Sequence, residues 1–251
     1  MVWHISWWRG TMVAYNQHRV YTILAHISAL LICATLLPAC VGDGNRDILW
    51  NMVANCLDSS VADYEKLCHW PIDNSAAACR NTTGLWNKNA EFVVLRDRKM
   101  CDCLDDKTFV HALAVPRTKV TGTEDPNRPV GIWQFAWDNA VKRIGNESEI
   151  ALVVNPPGNK RSQDQLHVHI VRLNDAGRRL IDMPNVSRVM SLADIWKKVD
   201  ELAKDKDFDY YGVLVARNPA GGFIVVVNDH SLEYDFTLAK CPAEGVVSDT
   251  K

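Results

Sequence analysis

The sequence predicts an α+β fold, one domain built on an antiparallel β-sheet with helices packed against it. Three observations carry that prediction. Segments of helical period and short β-type runs are interspersed along the chain. Two of the β-type runs, Tyr210–Ala216 and Gly222–Val227, are separated by a polar turn and read as a hairpin. The chain has 251 residues, 47% of them hydrophobic, enough for one sizeable core plus an N-terminal appendage.

The appendage comes first. Arg9, His18 and Arg19 precede an apolar run from Val20 to Val41, and the polar stretch Gly42-Asp-Gly-Asn-Arg-Asp47 follows it. At about 22 residues the run is long enough to cross a bilayer as a helix. The positive-inside rule then keeps the N-terminus cytoplasmic and exports residues 42–251. Residues 1–41 therefore read as a transmembrane anchor or a signal segment. Leu37-Pro-Ala-Cys40 resembles a lipoprotein cleavage box, in which Cys40 would carry the lipid. A buried N-terminal helix of a cytosolic protein is the weaker alternative.

Cysteine usage agrees with export. Beyond Cys33 and Cys40 the chain holds Cys56, Cys68, Cys79, Cys101, Cys103 and Cys241, an even number suited to disulfides in an oxidising compartment. The sequence does not choose among the pairings. Zinc knuckles would need paired C-x-x-C spacings, and none occurs.

Residues 47–70 begin at helical spacing, with Ile48, Leu49, Met52, Val53 and Cys56, before polar turns near Asn74 and Asn81. Phe92–Leu95 and Phe109–Pro116 are short strands, the second stopped by its proline. Lys119–Pro126 is a loop, in which Glu124 and Asp125 read as solvated charges. A helix over 130–144 carries Trp133 and Trp137 four residues apart, placing both in the core. Ile150–Val154 and Leu166–Val171 are strands, and Ser191 caps a helix over 191–203.

The segment that carries chemistry runs from Asn155 to Ile170. Alternate residues of a strand share a face, so Leu166, Val168 and Ile170 point into a core. Gln165, His167 and His169 point the other way, about 6.5–7 Å apart. The preceding Gly/Asn/Ser-rich loop offers backbone N–H groups, the Ser162 hydroxyl and the Gln163 amide, while Lys160 and Arg161 add positive charge. That combination suits a phosphate. An imidazole of ordinary pKa, about 6.5, is mostly neutral at pH 7 and attacks phosphorus without prior activation.

Two alternatives stand beside this reading. As a zinc pair, His167 and His169 need a third ligand, and neither His111 nor His230 stands at a supporting spacing. As core histidines they carry no chemistry; His111, inside an apolar strand, is read that way. The asparagine sequons at Asn81, Asn146 and Asn185 support no inference. A net charge of −2 with dispersed basic residues excludes nucleic acid as a partner.

Arg161-Ser-Gln-Asp-Gln-Leu-His-Val-His-Ile170 resembles the active-site strand of the bacterial CDP-diacylglycerol pyrophosphatase family, a branch of the histidine-triad superfamily. The resemblance extends through Val120–Pro126, Trp133-Gln-Phe-Ala-Trp137, Leu152–Pro156 and the N-terminal segment. It covers residues 47–172 well and the C-terminal part only in general character. It implies a two-layer histidine-triad fold and hydrolysis of CDP-diacylglycerol to CMP and phosphatidate, without cofactor or metal, at the periplasmic side of a bacterial membrane. It makes His167 the nucleophile and His169 an orienting, phosphate-contacting group. Gln165 takes the first triad position, normally a histidine, as a phosphate-contacting amide. Asn155, Arg161, Ser162 and Gln163 support the α-phosphate or order the nucleophile. The rivals are a hydrolase or transferase of soluble CDP- or ADP-linked substrates, and a nucleotide- or lipid-binding surface protein without turnover.

Overall fold

The computed structural model describes residues 46–57, 79, 83–101, 103, 108–158, 161–183 and 185–241. The apolar run Val20–Val41 with Cys40, together with Cys68, Asn74, Asn81 and Lys160, lies outside them. Among the described residues, no helix is long and apolar enough to cross a membrane.

The strands are β1 (Leu85–Lys88), β2 (Phe92–Arg96), β3 (His111–Pro116), β4 (Ile150–Val154), β5 (Val168–Arg172), β6 (Ser187–Val189), β7 (Gly212–Arg217) and β8 (Phe223–Asn228). They form one sheet in the order β1-β2-β3-β5-β4-β7-β8-β6, and every neighbouring pair is antiparallel. The expected α+β class and the hairpin, β7–β8, are thus present. The helices are α1 (Ile48–Asn55), α2 (Ile132–Ile144), α3 (Asp175–Ile181), α4 (Ile195–Asp205) and α5 (Leu232–Phe236).

One face of the sheet is covered by α2 and α4. Leu152 and Val154 of β4, Val168 and Ile170 of β5, and Val213 and Val215 of β7 meet Trp133, Ala136 and Ala140 of α2 and Val199 of α4 in the main core. Leu166 joins them from just before β5, as the alternation of the segment predicts. Trp133 packs at a tilt against Trp196 with centroids 4.9 Å apart, and Trp137 meets Phe223 edge-on at 4.9 Å, so both tryptophans are core residues. Ser191 accepts from Ala193 N–H and starts a short 3-10 turn that leads into α4, one turn later than the periodicity places the helix.

The opposite face is covered as well, which the two-layer expectation does not include. The physical reason is alternation that stays apolar on both sides: β2 and β4 are buried along their whole length. Val93, Leu95 and Val115 need cover and find it under Leu49 and Val53 of α1. Val153, Leu214 and Ala216 pack under Ile181 of α3 and Leu232 of α5. Each such side chain stabilises by about 1.5–3 kcal/mol when fully buried.

These two covers leave the middle of the face to β5. His169 lies there, opposite Leu113 of β3 on one side and Val153 of β4 on the other. Two disulfides tie the covers down. Cys56–Cys79 closes the end of α1, and Cys103–Cys241 joins the segment after β2 to the chain beyond α5. Cys101 is also disulfide-bonded.

Candidate active site

His167 precedes β5 by one residue and is almost fully buried. Its Nδ1 lies 2.7 Å from the carbonyl oxygen of Gln165. A carbonyl only accepts, so Nδ1–H donates and the lone pair of the neutral ring stands on Nε2. Burial pulls the pKa of His167 below its ordinary value. The Arg161 charge adds to this, against the opposing influence of the Gln165 hydrogen bond. A neutral ring with its lone pair on a defined atom is what a nucleophile at phosphorus requires.

His169 lies beside it, the ring centroids 4.9 Å apart. Burial, assisted by the neighbouring histidines, pulls its pKa down to about 3 despite the nearby Glu233 carboxylate. Its Nε2 is 3.3 Å from Asn155 Nδ2 and 3.7 Å from Glu233 Oε2. Asn155, at the end of β4, donates to Glu233 Oε2 at 2.6 Å and accepts from the Ser231 hydroxyl at 2.8 Å.

His111 is fully buried, as the apolar strand around it implies, but it is not remote from the chemistry. Its ring meets that of His169 edge-on at 5.2 Å. Its Nδ1 is 3.1 Å from Asp97 Oδ2, and its Nε2 is 3.0 Å from Glu233 Oε1. Burial opposes charge on this ring, but the two carboxylates outweigh it and raise the pKa. Burial likewise pushes Asp97 and Glu233 toward protonation. His111 for the first, and His169, His111 and Lys99 for the second, hold both well below the usual carboxylate range. Lys99 Nζ donates to Glu233 Oε1 at 2.5 Å. Each carboxylate faces a nitrogen of His111, and Glu233 faces Lys99 as well, which makes so dense a buried cluster tolerable.

A cavity of about 820 Å³ opens over these groups. Its walls include Ile48, Leu49 and Met52 of α1, the turn from Leu95 to Lys99, and Ser231 to Asp235 of the α5 segment. Asn155, Arg161, Ser162, Gln163, His167 and His169 all line it, so six of the residues singled out by sequence converge on one space. Arg161 reaches it as a rigid group. Its guanidinium makes two hydrogen bonds to Glu124, at 2.7 and 3.2 Å, so Glu124, exposed on its loop as expected, also clamps the arginine. Gln163 accepts from Leu49 N–H at 2.9 Å, satisfying a backbone donor in the first turn of α1 and tying that helix to the loop.

Gln165 departs from the expectation. It is fully buried and is not among the residues lining the cavity. Its amide donates to Pro116 O at 3.1 Å and Thr118 O at 2.8 Å and accepts from Val120 N–H at 3.2 Å. The reason is local. Gln165 lies three residues before the paired strand, where its amide finds backbone partners and secures the 116–120 loop instead.

Asp97, Lys99, Ser231 and Glu233 escape the sequence reading. No motif connects them, since they converge only through sheet order and the α5 segment. Asp97, His111 and His169 also bring one donor atom each within 4.8 Å of one another, a set able to hold a divalent cation. In that event His111 would offer its second N–H to Glu233, the usual outer partner of a metal-bound imidazole.

The depressed imidazoles set a pH dependence. Between about 6.5, the ordinary value, and their lower folded values, His167 and His169 bind a proton in the unfolded chain but not in the folded one. Their contribution is complete above about 6.5 and is lost as pH falls. Asp97 and Glu233 add a similar loss below about 4, whereas raised His111 contributes at low pH and weakens as pH rises through its folded pKa. The melting temperature should fall from pH 6.5 toward 4.5, and His169→Gln should flatten that slope. An unchanged slope in the variant would refute the assignment.

A family model, CDP-diacylglycerol pyrophosphatase, matches residues 44–214, from just before α1 into β7 and across the whole histidine segment. No curated protein matches the chain. The match spans well over half of the sequence and includes the cavity-lining loop and both of its histidines, so the chain belongs to the CDP-diacylglycerol pyrophosphatase family of hydrolases.

Proposed function

We propose that this protein hydrolyses CDP-diacylglycerol by histidine-triad chemistry, with His167 as a covalent nucleophile. The observation that carries the reading is the hydrogen bond from His167 Nδ1–H to Gln165 O, which leaves a neutral Nε2 lone pair at the cavity. Nε2 attacks the cytidylyl phosphorus and forms a P–N bond. The bond from that phosphorus to the bridging oxygen breaks, and phosphatidate leaves with the electron pair. Its leaving oxygen belongs to an acidic phosphate and needs little protonation. Water then attacks the cytidylyl-histidine, CMP departs, Nε2 recovers its lone pair, and the water proton passes to solvent. Splitting one displacement into two is the benefit of the covalent route.

Within this reading Asn155, Ser162 and His169 face the phosphates, and Arg161 supplies positive charge from its fixed position. We read the fold as a histidine-triad variant in which the first-position glutamine serves the loop. We also propose that residues 1–41 tether the domain to the outer side of a bacterial membrane, where the lipid substrate resides. The apolar run with its preceding arginines supports this, as do disulfides in the folded domain.

The test is release of CMP from CDP-diacylglycerol in mixed micelles, with and without EDTA. Release that survives EDTA is the expected result. Loss only in EDTA would favour a second reading, a cation held by Asp97, His111 and His169. No release by folded protein in either condition would favour a binding protein or another substrate.

A further inference from the structure

We infer that Glu233, which lies beyond the family-matched residues, is a positioning residue for the hydrolysis, fixing His111 and Asn155 around His169. The inference rests on the proposed histidine chemistry and adds a part to it. Glu233 is 2% exposed and comes from α5, an element carrying none of the residues that sequence singles out. Both of its oxygens are occupied by donors. Oε1 accepts from Lys99 at 2.5 Å and faces His111 Nε2 at 3.0 Å; Oε2 accepts from Asn155 at 2.6 Å and lies 3.7 Å from His169 Nε2. One carboxylate thus joins β3, the end of β4, β5 and the turn after β2.

The backbone that presents this carboxylate is itself fixed. Thr237 Oγ1 donates to Glu233 O at 2.7 Å, and Asn174 N–H donates to Phe236 O at 3.0 Å. At Gly177 of α3, a Cβ would stand 2.2 Å from Phe236 O, so α3 and α5 approach at a distance only glycine permits. A side chain merely filling space would not need both oxygens directed at donors.

An acceptor on both sides is the requirement, and it selects the informative variant. Glu233→Gln keeps the shape but must turn an NH₂ group either toward Lys99 and His111 or toward Asn155, placing donor against donor. Asn155 and His169 then lose their orientation at the phosphate. The charged and titratable groups facing Glu233 are Lys99 from the turn after β2, His111 from β3, His169 from β5 and, at longer range, His167. On its own segment, His230 and Asp235 pair with each other at 2.8 Å.

The experiment compares wild type, E233Q, E233D and K99M in the CMP-release assay, with kcat and KM determined separately and melting temperatures alongside. E233Q should lower kcat by about 10- to 100-fold, the scale for groups that orient a working imidazole, with KM little changed. K99M removes one donor from Oε1 but leaves Asn155 held, so it should lower kcat less than E233Q. E233D keeps two acceptor oxygens but shortens the reach, so it too should lower kcat with KM little changed. A residue that only stabilises the fold would change melting temperature and leave the kcat of folded protein in place.

Wild-type kcat in folded E233Q would overturn the inference. So would wild-type kcat in folded E233D, the variant that decides where E233Q does not fold. If wild type releases no CMP, the functional reading fails; if wild type releases it and the Glu233 variants match it, only the inference fails.

Discussion

His167→Ala should abolish CMP release, lowering kcat by about 10⁴-fold or more, the scale seen when a covalent nucleophile is removed. The same variant should form no cytidylyl-enzyme adduct. In the wild-type protein that adduct is a phosphoramidate, labile in acid and persistent in alkali, so quenching at the two extremes distinguishes it from bound nucleotide. The fold should survive. The ring makes one hydrogen bond, to Gln165 O, and losing it costs about 1 kcal/mol, which for a domain of this size is a few degrees of melting temperature. Retained turnover in the alanine variant would sink covalent catalysis at this position. Loss of turnover with an intact adduct would instead place His167 in the second, hydrolytic step.

The second large effect concerns Cys103–Cys241. This disulfide closes a segment of 138 residues that contains β3 to β8 and all of α2 to α5. By chain entropy alone, a cross-link over so long a loop stabilises by about 5 kcal/mol, although native strain often reduces the measured value. Its local consequence matters as much. Cys103 follows the turn that carries Asp97 and Lys99, and Cys241 follows α5 with Glu233. Cys241→Ser should therefore lower the melting temperature by about 10 °C or more and lower kcat as well, because the Lys99–Glu233 pair loses its covalent brace. Cys56→Ser, which frees only the end of α1, should affect kcat less. Equal losses of kcat from the two cysteine variants would count against the brace.

Much of the architecture is legible in the sequence because it rests on periodicity. Leu166, Val168 and Ile170 declare the buried side of β5, and Trp133 and Trp137 declare the inner side of α2. The cavity loop is legible because Asn155, Arg161, Ser162 and Gln163 stand close to His167 along the chain. Gln165 misleads for a specific reason: backbone groups of the 116–120 loop, distant in sequence, take up its amide, and no local pattern shows them. Glu233 is invisible for a different one. Its helix has five residues, too few for a period to register, and its partners lie more than 70 positions upstream. His111 is read correctly as buried, yet its two carboxylate neighbours come from a turn and a terminal helix that no local pattern connects.

The span of those contacts bears on the order in which the enzyme becomes competent. His111 meets Glu233 across 122 residues and Lys99 meets it across 134, so neither contact forms until α5 has been synthesised. A growing polypeptide displays His167 well before the acidic partner of His111 exists. Contacts of such sequence separation also slow the search for the native state. Completion of the buried cluster around His169 is therefore a late event in folding, reached when α5 docks rather than when the histidine strand first pairs.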